Sequence, residues 1–272
     1  MASILRLARM KIPRLSRRHV LAFVLAPVVA LPPAANAQTA SQTGSQTFHI
    51  NAPDVSPTVV GDVEADLLWA ESRIAERLGP FPDTVSVRIF ADRAGFTEAL
   101  REAWGIPETA CWMVGAADDY HFYLLSPGAW GEEACEHDPD DSEHRRLLVT
   151  HEAVHVYHGQ VNPSDDIGLL EEIGWFVEGL ATWASGQLES GHAGRAAEAL
   201  EAGEGPTRLA DAWSGPYRYG VAGSLVAWID ENRGRDVLRA ALEFTTWDEF
   251  EALLGLSEAE FLAAWRLWVE GT

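Results

Sequence analysis

The chain has 272 residues, enough for a full hydrophobic core, and a formal net charge of −21 from 41 acidic and 20 basic side chains. Such acidity disfavours nucleic acid and anionic membrane as partners. No GxSxG elbow, P-loop or GxGxxG fingerprint occurs, which sets aside serine-hydrolase and nucleotide-binding readings.

In chain order, residues 1–37 read as an address. Arg6, Arg9, Lys11, Arg14, Arg17 and Arg18 form a basic region, an apolar stretch follows at 20–31, and Ala35-Asn36-Ala37 is an A-x-A cleavage site. The run Ser16-Arg17-Arg18-His19-Val20-Leu21 resembles a twin-arginine signal. The rival reading, an uncleaved anchor, is weakened by Pro27, Pro32 and Pro33 in a short apolar run. Removing this segment takes away six cations and no anions, which carries the formal charge to −27. A periplasmic or secreted bacterial protein is expected, with no membrane contact after signal removal. No later apolar run is long enough to span a membrane.

Residues 38–47, QTASQTGSQT, read as a flexible polar leader. The folded domain is expected at 48–272. Ser56 before Pro57 signals a helix start, and Val60, Val63, Leu67, Ala70 and Ile74 recur at helical spacing until Gly79-Pro80. Val85, Val87 and Ile89 alternate with Ser86 and Arg88 as a half-buried strand does. Further strands are predicted at 112–116 and 121–125, with a helix carrying Phe96, Leu100 and Trp104 before them. Cys111 and Cys135 are the only cysteines, and in an oxidising compartment they read as a disulfide. The acidic stretch 132–141 could suggest calcium, but its spacing matches no EF-hand, and a solvated loop supplying a helix N-cap is the better reading.

A helix predicted at 142–158, ending at Gly159, carries His151-Glu152-Ala153-Val154-His155. Residues four apart share a helix face, so the two imidazoles can meet one metal while Glu152 stands beside it unbound. HExxH alone arises by chance in chains rich in Glu and His. A third ligand makes it specific, because a catalytic zinc takes three protein ligands and leaves one position open. Glu178 is preferred over Glu171 and Glu172, since Gly179 and Ala181 beside it suit a helix crowded against a metal site. His158 reads as an imidazolium near a helix C-terminus. Beyond this point the chain reads as helical, with capping boxes at Thr246/Glu249 and Ser257/Glu260 and a last helix burying Phe261, Leu262, Trp265 and Trp268. The eleven tryptophans could mark a carbohydrate surface, but Trp175, Trp228, Trp265 and Trp268 fall at core-like positions.

HExxH followed by Glu178-Gly179-Leu180-Ala181-Thr182-Trp183 resembles the gluzincin metallopeptidases, and the layout from about 84 to 268 is similar to small bacterial peptidase-MA-like domains. By that resemblance His151, His155 and Glu178 bind Zn2+, Glu152 is the general base, and the fold is α+β and zincin-like: a small mixed sheet with covering helices, then a helical lobe. The 22 residues between His155 and Glu178 imply an insertion near 162–168. The aminopeptidase GxMxN glutamate is missing from Gly115-Ala116-Ala117-Asp118-Asp119. The segment around Tyr217, Arg218, Tyr219 and Ser224 resembles the tyrosine-bearing helix start of that group, which makes Tyr219 the expected oxyanion donor, Tyr217 the reserve, and Arg218 a surface residue. The expectation is an exported zinc metallopeptidase acting on peptide or protein substrates. The alternative is a catalytically silent peptidase-like domain that binds peptides or proteins.

Overall fold

The computed structural model describes residues 45–192 and 194–271. The segment at 1–37, expected to be an export signal, lies outside them, as does most of the expected leader at 38–47. Residues 45–47 belong to the folded body, contrary to the leader reading: the Ser45 and Thr47 hydroxyls both donate to the Glu71 carboxylate.

The architecture is α+β. Four strands, β1 (Phe48–Asn51), β2 (Val85–Phe90), β3 (Gly115–Ala117) and β4 (His121–Leu125), form a mixed sheet in the order β1-β2-β4-β3. β1 and β4 flank β2 in parallel, and β3 pairs antiparallel with β4 at the sheet edge. The alternation read at Val85, Val87 and Ile89 is the buried face of β2. β1 was not anticipated as a strand because four residues carry too little alternation. The expected strand at 112–116 is displaced to Gly115–Ala117, since Arg93 holds the carbonyls of Ala110, Cys111 and Met113 in an irregular approach.

Helix α1 (Pro57–Arg77) starts as its sequence indicates, with the Ser56 hydroxyl accepting from Val59 N at 3.3 Å. Helix α2 (Arg93–Trp104) lays Phe96 and Trp104 against Phe90 and Tyr123 of the sheet. The short α3 (Trp130–Glu133) then leads to Cys135, which is bonded to Cys111. That bridge and Arg93, whose guanidinium also donates to Glu133 O at 2.7 Å, tie the approach to β3 to the acidic segment. Within that segment Asp141 caps the next helix by accepting from His144 N at 2.8 Å.

Helix α4 (Ser142–Val161) lies along β3 and β4 and packs on α1. It runs past the expected stop at Gly159, which is a close-packing position instead: a Cβ there would stand 2.3 Å from Asp119 Oδ1 on the β3–β4 turn. His158 is also corrected. It is fully buried and neutral, with burial pulling its pKa down to about 3, and its Nε2–H donates to Leu242 O at 3.2 Å.

After two 3-10 turns, Ile167–Leu169 and Glu171–Ile173, the helical lobe comprises α5 (Gly174–Ser185), α6 (Gln187–Gly191), α7 (Arg195–Glu201), α8 (Arg218–Arg233), α9 (Arg235–Ala240), α10 (Trp247–Leu254) and α11 (Glu258–Gly271). Both late capping boxes form, Thr246 with Glu249 and Ser257 with Glu260. Trp175, Trp228 and Trp265 fill the core, while Trp268 stays partly exposed and Val269 takes the buried place. The most extensive helix pair is α5 with α8. Gly179 permits it, since a Cβ there would approach Ala222 O to 2.3 Å. The crowding that calls for a small residue at 179 therefore comes from α8.

Candidate metal centre

Helix α4 presents His151 and His155 one turn apart, their ring centroids 4.8 Å apart at 80°. Helix α5 crosses α4 and brings Glu178 to the same point. His151 Nε2 lies 3.1 Å from His155 Nε2, and Glu178 Oε2 lies 3.5 Å from the first and 3.7 Å from the second. A tetrahedral centre about 2.1 Å from each donor sets neighbouring donors about 3.4 Å apart. The three atoms thus form a triangle of the size one metal ion requires, and they are the group among the described residues that could hold one. Glu171 and Glu172 are exposed on the preceding 3-10 turn, and Glu172 instead accepts from Trp247 N at 3.3 Å.

Electrostatics agree with a cation position. All three side chains are mostly withdrawn from water. In the metal-free protein, burial pushes the Glu178 carboxyl up, but the two imidazoles outweigh it and leave the group below its usual range. Burial holds His155 down to about 4, hence neutral with a lone pair free at physiological pH. Burial also raises Glu152 to about 7, against the opposing pull of His151. Glu152 is not part of the three-residue triangle. Its side chain rests against the edge strand, where a Cβ on Gly115 would come within 2.9 Å of its Cγ and 3.1 Å of its Oε1. A glycine at that strand position is what lets the carboxylate lie there.

Tyr219, in the first turn of α8, brings its ring to 6.2 Å from the His151 ring. It is held on its other sides by His192, stacked at 5.2 Å, and by the edge of Trp213 at 4.7 Å. Burial, with Glu178 adding to it, raises its phenol pKa, so the hydroxyl keeps its proton. Tyr217 has a different neighbourhood, under the Arg195 guanidinium at 4.6 Å. Ser224 is a buried support that accepts from Trp265 Nε1 at 2.9 Å. Arg218 is not the surface residue expected: it is half-buried, its guanidinium 5.0 Å from the Tyr219 ring and 5.5 Å from that of Trp213. The stacking that draws it inward depends on tertiary neighbours that no local pattern shows.

Sequence reasoning also missed His192 and Gln187, which belong to no motif. Both line a cavity of about 280 Å³, together with Asp141 and His144. Gln187 accepts a hydrogen bond from His151 Nδ1 at 2.8 Å. No family model matches the chain, and no curated protein matches it.

Proposed function

We propose that the protein is a zinc-dependent hydrolase of peptide bonds. The observation that carries this reading is the triangle of His151, His155 and Glu178 donor atoms, with Glu152 outside it and within electrostatic reach of His151 and Glu178. Two nitrogens and one oxygen at tetrahedral spacing suit zinc, and three protein donors leave one position open, as catalytic rather than structural sites do. A zinc ion held by His151, His155 and Glu178 would supply Lewis acidity for polarising a carbonyl and activating water.

The chain's own residues account for the rest. Glu152 takes a proton from the attacking water and returns it to the departing amine, the general acid–base role open to a carboxylate outside the donor triangle. Tyr219, protonated and facing His151, donates to the carbonyl oxygen as negative charge builds on it. β3, the last strand in the sheet order, runs beside Glu152. The resemblance of HExxH and EGLATW to gluzincin peptidases supports the same reading, as does an export-type segment at 1–37 for a secreted or periplasmic enzyme.

Elemental analysis joined to a peptide-library digest tests the proposal. One zinc per chain is expected, lost in Glu178→Ala and kept in Glu171→Ala and Glu172→Ala, with library peptides cleaved by the zinc-loaded protein. Zinc without cleavage across a broad library would replace the enzyme by a peptide-binding domain.

A further inference from the structure

Gln187 opens α6 immediately after Gly186, whose left-handed backbone (φ 97°) ends α5. Two arginines from α1 fix this corner: Arg73 Nε donates to Ala184 O at 2.8 Å and Arg77 Nη1 to Trp183 O at 2.6 Å. A Cβ on Gly186 would stand 2.8 Å from Arg73 Nη2, so the corner closes tightly on that side. Gln187 N donates to the Ser185 hydroxyl at 3.3 Å. The side chain thus leaves a braced turn, and its Oε1 meets His151 Nδ1 at 2.8 Å.

We infer that Gln187 is the positioning residue of the metal centre: its carbonyl oxygen holds the proton of His151 on Nδ1, which fixes the ring and leaves the Nε2 lone pair for the metal. This rests on the metal-site reading above. The chemistry follows from the tautomers of imidazole. If the amide nitrogen faced the ring instead, it would donate to Nδ1, place the ring proton on Nε2, and remove the ligand lone pair. Nε2 is the atom 3.1 Å from His155 Nε2 and 3.5 Å from Glu178 Oε2, so a metal held among these three atoms and the acceptor on the far side of the ring call for the same tautomer. Glu178 and Gln187 also lie on either side of one braced corner, which couples ligand and positioning residue in a single rigid piece.

Two substitutions of similar length separate this role from packing. Gln187→Met fills a similar space with only a weak thioether acceptor, whereas Gln187→Glu retains a strong one. Zinc affinity, measured on the full chain by competition with a chromophoric chelator, should fall on the order of 10- to 100-fold in Gln187→Met and stay at or above the wild-type level in Gln187→Glu. Thermal stability of the metal-free protein should match in the two variants. Equal zinc affinity in wild type and Gln187→Met, or an equal loss in both variants, overturns the assignment. Failure of the wild type itself to bind zinc would instead defeat the metal-site reading on which it stands.

Discussion

Two tyrosines two residues apart offer a direct comparison of roles. Tyr219 faces His151 and is packed between His192 and Trp213, whereas Tyr217 lies under Arg195. A donor that acts only once charge has appeared on the carbonyl contributes to turnover more than to binding, and losing one such donor lowers the rate on the order of a hundred- to a thousand-fold. Tyr219→Phe keeps the ring and its stacking, so kcat should fall by that factor with KM little changed and zinc content intact. Tyr217→Phe should leave kcat near the wild-type value. A large loss that follows Tyr217 would show that the register of the site is wrong.

His158 makes a pH prediction at the same scale. Its ordinary pKa of 6.5 is pulled to about 3 by burial, with His155 adding to the effect and the Leu242 carbonyl opposing it. The unfolded chain takes up a proton below 6.5 while the folded protein refuses it, so the stability tied to this group is complete above 6.5. It is lost as pH falls toward 3, by about 1.4 kcal/mol per unit. Urea unfolding of the metal-free protein should therefore lose about 2 kcal/mol more between pH 6.5 and 5 in the wild type than in His158→Gln, whose amide still donates to Leu242 O. The same slope in both proteins would mean that His158 is not held neutral.

Among the elements, the pair α5 and α8 decides whether the site holds together, because Glu178 and Tyr219 sit on its two members. Gly179 faces the backbone of α8, and an added methyl meets Ala222 O at 2.3 Å and Val226 Cγ2 at 3.0 Å. Neither helix can yield locally, so Gly179→Ala should destabilise by about 1–3 kcal/mol and weaken zinc retention together. Gly174, also on α5, has nothing within 4 Å of its would-be Cβ, and Gly174→Ala should change thermal stability little. Equal melting temperatures for the two variants would contradict the packing account. Elements of this kind were legible in sequence where their signals are local. Ser56, Thr246 and Ser257 each mark a helix start because capping is settled within one turn. The end of α4 was not, because the glycine that reads as a stop answers to Asp119 on a distant turn.

For the molecule as a whole, a sheet-bearing front followed by helices was legible because the predicted strands end at 125 and the residues after Glu178 read as helical. The metal triangle was legible for a related reason: His151 and His155 are joined by helix geometry alone, and Glu178 needs only one neighbouring helix to reach them. What surrounds the triangle was hidden. Gln187 and His192 arrive through the corner after α5 and the segment before α7, places set by tertiary packing and carrying no motif, and the inward position of Arg218 at the start of α8 depends on its tertiary neighbours. Acidity pervades the chain, with 41 Asp and Glu side chains, and the proposed mechanism rests on the one at 152. The most direct test of the account is peptide cleavage by Glu152→Gln at a zinc content matched to wild type, followed by mass spectrometry. Gln fills the same space and cannot accept the proton, so the variant should keep its zinc and its fold and show no cleavage above background. Cleavage at the wild-type rate would contradict the assignment of Glu152 and with it the proposed mechanism.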